Sequence, residues 1–290
     1  MEIGRLGVWS ILDGMTAGET SAFARKVEGL GYSAMWIAEA VGREPFAHAG
    51  YLAAHTQRLI IATGIANIWA RDPMTMIAGA RTLAELSGGR FVLGIGVSHE
   101  PLVRIRGREF VKPYSYMREY LPRMKSALYM AAKPKAEPPI VIAALHPRML
   151  ALAAQQTRGT HTYFVPPEHT ARARAMIGPD AWICAAQAVL LQTDPRQARD
   201  VAREYMKTYI RLPNYANMLK ALGFTDADLA DGGSDRLVDA VVAWGDEEQI
   251  RQRIAAHHQA GATHVCILPL RNDKRPQPDE STIELLAPAR

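Results

Sequence analysis

Only two cysteines occur in 290 residues, Cys184 and Cys266, and each sits inside an apolar run. A disulfide framework is not expected from them, and a reducing cytoplasm fits better. No apolar stretch is long enough to span a bilayer, and the amino end from Met1 to Val8 has no signal-peptide layout. Charge of one sign is not in large excess: 34 Lys and Arg stand against 29 Asp and Glu, a net +5. The arginines are spread along the chain rather than clustered among aromatics, so nucleic acid is not an expected partner. A Walker-type loop is missing, and Gly94-Ile95-Gly96 lacks the third glycine of a dinucleotide fingerprint. His257 and His258 are neighbours on a predicted helix and cannot face one site. No Glu-x-x-His pair stands at a strand end, so no metal is expected.

What is present is alternation. Short apolar segments at 6–12, 34–38, 59–63, 90–95, 140–143, 160–165, 182–191 and 264–268 alternate with helix-like stretches, the pattern of parallel βαβ units. Asp72-Pro73 and Asp194-Pro195 open helices, with aspartate as cap and proline in the first turn. Eight such units in one chain of this length imply a single-domain (β/α)8 barrel over residues 1–290. Two segments exceed what a barrel needs. Val97 to Tyr114 follows the fourth strand and must emerge on the catalytic face as a candidate lid. Leu212 to Gly245 lies between the seventh and eighth strands.

In such barrels the polar residues at strand ends line the active site. That rule selects Glu39 after the second strand, Asn67 after the third, and Ser98 and His99 after the fourth, where Gly94 and Gly96 let a ligand approach the backbone. His99 is a candidate proton carrier. His161 and His264, near strand beginnings, read as structural. A phosphate can rest on amides at Leu145-His146-Pro147-Arg148, with Arg148 adding charge.

The runs from Leu30 to Trp36, from Ile61 to Asn67 and from Thr82 to His99, with Leu86-Ser87-Gly88-Gly89-Arg90-Phe91 at the centre of the last, resemble the bacterial luciferase-like superfamily. The likeness extends over nearly the whole chain and is strongest to the branch of oxidoreductases that use the deazaflavin coenzyme F420. The resemblance implies hydride transfer at a ring held over the strand ends, with flavin mononucleotide as the alternative cofactor. A flavin monooxygenase and a deazaflavin-binding protein without turnover are the rival readings. It further implies that Thr63, Gly64, Ile65 and Asn67 lie against the ring, with a cis peptide between Gly64 and Ile65. Glu39, Gly96, Ser98 and His99 are the implied polar and backbone neighbours, with Glu39 and His99 catalytic, and Leu145, His146 and Arg148 lie near the phosphate. Relatives often end strand two in Asp-His, where this chain has Glu39-Ala40. They place a glutamate near the ring in the region of His99, and Gly-Pro where His146-Pro147 stands. A homodimer follows from the same family analogy.

Overall fold

The computed structural model describes residues 1–289. Eight parallel strands form a ring: β1 (Leu6–Ser10), β2 (Ala34–Ile37), β3 (Ile60–Thr63), β4 (Phe91–Gly96), β5 (Ile140–Ala143), β6 (Gly159–Tyr163), β7 (Trp182–Leu191) and β8 (His264–Pro269). Each pairs with the next, and β8 pairs with both β7 and β1, which closes the barrel. The expected (β/α)8 fold is present, and every strand lies within a residue or two of its place in the alternating pattern.

Side chains along each strand alternate between two packed layers, as a period of two requires. Val8, Met35, Ile61, Leu93, Ile142 and Val265 pack with the surrounding helices. Trp9, Trp36, Ala62, Val92, Val141, Cys184 and Cys266 belong to the other layer, which fills the barrel. Inside, Trp36 lies flat on His161, with ring centroids 4.5 Å apart and planes 7° apart. Its indole N–H donates to His264 Nε2 at 3.1 Å. Two indoles in one barrel need small neighbours. A Cβ on Gly7 would sit 2.7 Å from His264 Nε2, and one on Gly64 would sit 2.5 Å from Trp9 Nε1.

The helices are α1 (Ala17–Gly29), α2 (Pro45–Ala54), α3 (Pro73–Leu86), α4 (Pro113–Lys125), α5 (Pro147–Gln156) and α6 (Pro167–Ile177). Then come α7 (Pro195–Tyr209), α8 (Pro213–Ala221), α9 (Asp235–Val241), α10 (Glu247–Gln259) and α11 (Glu280–Leu285). Seven of these begin on proline, whose missing N–H is one that a first turn leaves unbonded anyway. Asp72 and Asp194 cap α3 and α7 through their carboxylates, as the sequence indicates.

Both long segments are more ordered than connections. The first holds a short helix, Glu100–Arg104, and leads into α4, which the sequence reading left out. The second holds α8, α9 and an edge strand, Val242–Gly245. That edge strand pairs in parallel with the carboxyl half of β7, from Ala188 to Leu191. The ten residues of β7 allow this: its first half pairs with β6 and its second half with the insertion. Among the described residues, no helix is long and apolar enough to cross a membrane.

Candidate active site

The polar strand ends named from the sequence divide into a set that reaches the barrel mouth and a set buried behind it. After β3 the chain makes a bulge. The Gly64–Ile65 peptide is cis, as expected, and both residues are half-buried at the mouth. The chain then rejoins the sheet at Ala66–Asn67, which pairs with Ile95 and Gly96 of β4. The Ile65 side chain fills the space beside Gly96, where a Cβ would stand 2.6 Å from Ile65 Cδ1 and 3.1 Å from Ala143 Cβ. Within the chain itself, Gly96 and Gly94 admit Ile65 and the Thr63 carbonyl.

Three further residues named from the sequence are buried. Thr63 is fully buried, and its hydroxyl donates to Gly94 O at 2.6 Å and accepts from Gly94 N at 2.9 Å. It ties β3 to β4 where the bulge interrupts the ladder, and does not reach the mouth. Asn67 is 2% exposed, and its Oδ1 accepts from the Trp69 amide at 2.9 Å. The Glu39 side chain is 4% exposed. Its carboxylate is forked by Arg71, with Nη1 at 2.7 Å from Oε2 and Nη2 at 3.1 Å from Oε1. The Asn67 amide adds a third bond to Oε2 at 2.7 Å, and Arg106 Nη2 lies 3.6 Å from Oε1. Glu39 is thus held as an ion-pair partner. A carboxylate this buried needs such partners.

The mouth itself is made by Gly64, Ile65, Val97, Ser98, His99, Leu145 and His146, all partly exposed. Ser98 has a positive φ of 57°, which turns the chain so that His99 follows over the barrel. The His99 ring lies 5.3 Å from the Tyr215 ring, and His146 Nε2 lies 3.0 Å from the Asn214 carbonyl oxygen. Two adjacent residues at the start of α8 therefore bring His99 and His146 together across the mouth. Burial without a charged partner lowers the His99 pKa below the ordinary histidine value, which favours neutral imidazole at pH 7. Arg148 is exposed in the first turn of α5 and stacks on Tyr114 at 4.2 Å. No side chain caps α5; Pro147 has no N–H and the Met149 N–H bonds the His146 carbonyl, which leaves the Arg148 amide without a partner in the first turn.

Sequence reasoning missed Arg71, Trp69, Tyr163 and Tyr215. Trp69 stacks on Tyr116 with centroids 4.1 Å apart and donates to Val97 O at 2.9 Å. Tyr163 packs on Trp9 at 5.1 Å, and Trp9 Nε1 in turn donates to Gly64 O at 3.0 Å. The signal for Arg71 was available: a carboxylate ending a buried strand calls for a cation nearby. Among the described residues, no His, Cys, Asp and Glu cluster could hold a metal ion.

A closed parallel barrel with its polar groups gathered at the carboxyl ends of the strands is the ground plan of (β/α)8 enzymes. The chain belongs to the luciferase-like monooxygenase family, whose sequence profile matches residues 3–264. A Mycobacterium tuberculosis protein that carries the name of a coenzyme F420-dependent oxidoreductase is 26% identical over 331 aligned positions, covering 92% of this chain and 94% of that one. Among solved structures, an F420-dependent secondary alcohol dehydrogenase in complex with an F420-acetone adduct superposes with a TM-score of 0.75. Its identity is 14%, over 92% of this chain and 93% of that one. The oxygenating constituent of 3,6-diketocamphane monooxygenase from Pseudomonas putida, in complex with FMN, superposes with a TM-score of 0.70. It is 16% identical, over 98% of this chain and 96% of that one. At these identities the two structures speak for the fold.

Proposed function

We propose that this chain is an oxidoreductase that uses coenzyme F420 to transfer a hydride to or from a small organic substrate. One observation carries the reading. The half-buried surface at the ends of β3, β4 and β5 joins an apolar patch (Ile65, Val97, Leu145) to one neutral imidazole and to an uncapped helix start. That combination fits a flat ring with a phosphate-bearing tail, and the likeness to the mycobacterial protein extends over nearly the whole chain. When bound, the deazaflavin supplies two-electron hydride chemistry at its ring carbon C5. The chain's own part is to hold the ring against Gly64 and Ile65, to exclude water, and to hold the phosphate at the start of α5 beside Arg148. An imidazole nitrogen of His99 takes or returns the substrate proton. Glu39 and Arg71 fix the backbone of the bulge through the Asn67 amide. In the same reading the protein works in the cytoplasm as a homodimer, where its two buried free thiols stay reduced.

Calorimetric titration tests the cofactor. F420 should bind at least about tenfold tighter than flavin mononucleotide, a gap of about 1.4 kcal/mol. Equal or reversed affinities would instead favour a flavin monooxygenase, the reading to which the FMN-bound neighbour corresponds. Binding of F420 with no turnover of any substrate would leave a carrier.

His99 is tested separately. Replacing it with alanine should lower turnover by about 100-fold, the scale of a lost general acid or base. The melting temperature should hardly move, because His99 makes no cap bond and is only partly buried. Turnover at the wild-type level would remove His99 from the mechanism.

A further inference from the structure

A cavity of about 250 Å³ lies between α7 and the loop after β8, walled by Tyr163, Tyr205, Tyr209 and Leu268, with Ser10 and Gln277 also on its lining. It adjoins the mouth through one indole. Tyr163 packs on Trp9, and Trp9 donates to the Gly64 carbonyl.

Two polar atoms of the lining residues have no partner. Ser10 is 1% exposed, and its Oγ has no hydrogen bond; Gln277 Oε1 is likewise buried and unbonded. Buried polar groups in folded proteins are nearly always bonded, so these two await a partner that fills the space. The tyrosine hydroxyls do not supply it: Tyr163 donates to Tyr209 at 2.9 Å, and none bonds Ser10 Oγ or Gln277 Oε1. An amide oxygen only accepts, so the partner must bring an O–H or N–H. The walls are mostly aromatic and aliphatic, which suits a ring.

Charge at the rim bears on the choice as well. Lys274 is paired with Asp200 at 2.6 Å and Arg271 with Asp273 at 2.7 Å. Arg275 stands 3.7 Å from the same Asp273, and Glu204 3.6 Å from Lys207. Asp273 serves both arginines, so the rim keeps one positive charge in excess, but it lies on exposed Arg275 rather than beside Ser10 and Gln277, and the neutral class rests on those two buried groups.

We propose that this cavity is the substrate pocket, and that it takes a small neutral ring compound carrying a hydroxyl or N–H group, of the phenol or cyclic alcohol class. The inference rests on the mouth being the reaction site, but the pocket can be tested without any cofactor. Fluorine NMR titration of the full chain would compare 4-fluorophenol with fluorobenzene, which has the ring but no donor, and with 4-fluorobenzoate, which is anionic. The phenol should bind about tenfold tighter than fluorobenzene, the worth of one or two net hydrogen bonds. It should also bind more tightly than the benzoate. Ser10→Ala and Gln277→Leu should each remove most of that preference while leaving the melting temperature close to wild type. Val201→Phe, which adds bulk on the α7 wall, should weaken the phenol and fluorobenzene alike. Equal binding of phenol and fluorobenzene would overturn the proposal and leave water as the partner of Ser10 and Gln277. Tighter binding of the benzoate would overturn the neutral class, and binding unaffected by all three variants would move the ligand elsewhere. Because F420 affinity is measured independently, loss of the pocket and loss of the cofactor reading give different results.

Discussion

Acidification should unfold this protein between about pH 6 and pH 4, more steeply than carboxylate titration alone would produce. Three histidines carry the expectation. Burial pushes the pKa of His161 and His264 down to about 4, and that of His257 to about 3. His161 and His264 lie inside the barrel against Trp36. His257 is bonded between Thr170 and Gln187 in the outer layer. In the unfolded chain each would titrate near the ordinary value of about 6.5. Between the two values the unfolded chain binds a proton that the folded one refuses, so stability rises with pH and is lost as pH falls from about 6.5 toward 4. Each group contributes a slope of about 1.4 kcal/mol per pH unit, so three acting together remove about 4 kcal/mol per unit. Two such units remove about 8 kcal/mol, which is most or all of the stability of a domain in the lower half of the usual range of about 5–15 kcal/mol. Tryptophan fluorescence and far-ultraviolet circular dichroism against pH are the measurements. His257→Gln should flatten the slope by about 1.4 kcal/mol per pH unit, the share of one group. A fold unchanged at pH 4 would refute this account.

Removing Arg71 should cost about 3–5 kcal/mol, several times the loss for an exposed ion pair. With Arg71→Ala, the Glu39 carboxylate stays buried with the Asn67 amide as its nearest donor, and Arg106 Nη2 is 3.6 Å away. The expected fall in melting temperature is on the order of ten degrees. Arg71→Met combined with Glu39→Met should recover much of the loss, because two apolar side chains leave no unpaired charge. Chemical denaturation of Arg71→Met, Glu39→Met and the double closes the cycle. A loss below about 1 kcal/mol for Arg71→Ala would mean that solvent reaches Glu39, and the pair would then be an ordinary surface bridge. F420 affinity should fall with stability, since the Asn67 backbone that Glu39 holds is continuous with the bulge.

The strands were legible because each is a short apolar run set off by glycine, proline or charge, and a parallel barrel strand is buried on both faces. Helix α4 was not, although Pro113 opens it and Met117, Tyr120, Leu121 and Met124 form a buried stripe at helical spacing. Arg118, Glu119 and Arg123 break up that stripe on paper. The edge strand Val242–Gly245 was hidden for another reason: four residues carry little periodicity, and their partner is the far half of β7. At the site, position along the chain identified the strand ends but not the direction of each side chain. Thr63 and Ile65 stand two residues apart, yet one is fully buried in the sheet and the other reaches the mouth. Glu39 read as an active-site carboxylate because its partner Arg71 comes from the neighbouring strand end: a buried carboxylate calls for a cation, but local sequence does not say which one.

The strand that the insertion adds to β7 bears on how molecules come and go. Four consecutive residue pairs anchor that wall of the mouth to the barrel, so it cannot swing without tearing a ladder. The opposite wall, the segment after β4, is fastened more lightly: Arg106 donates to the Ala40 carbonyl at 2.6 Å, and Trp69 holds Val97 at its root. A doorway with one fixed post and one hinged leaf has a preferred direction of traffic. Large ligands should enter and depart on the side of residues 98–112, where the cost of opening is a few side-chain contacts rather than a strand.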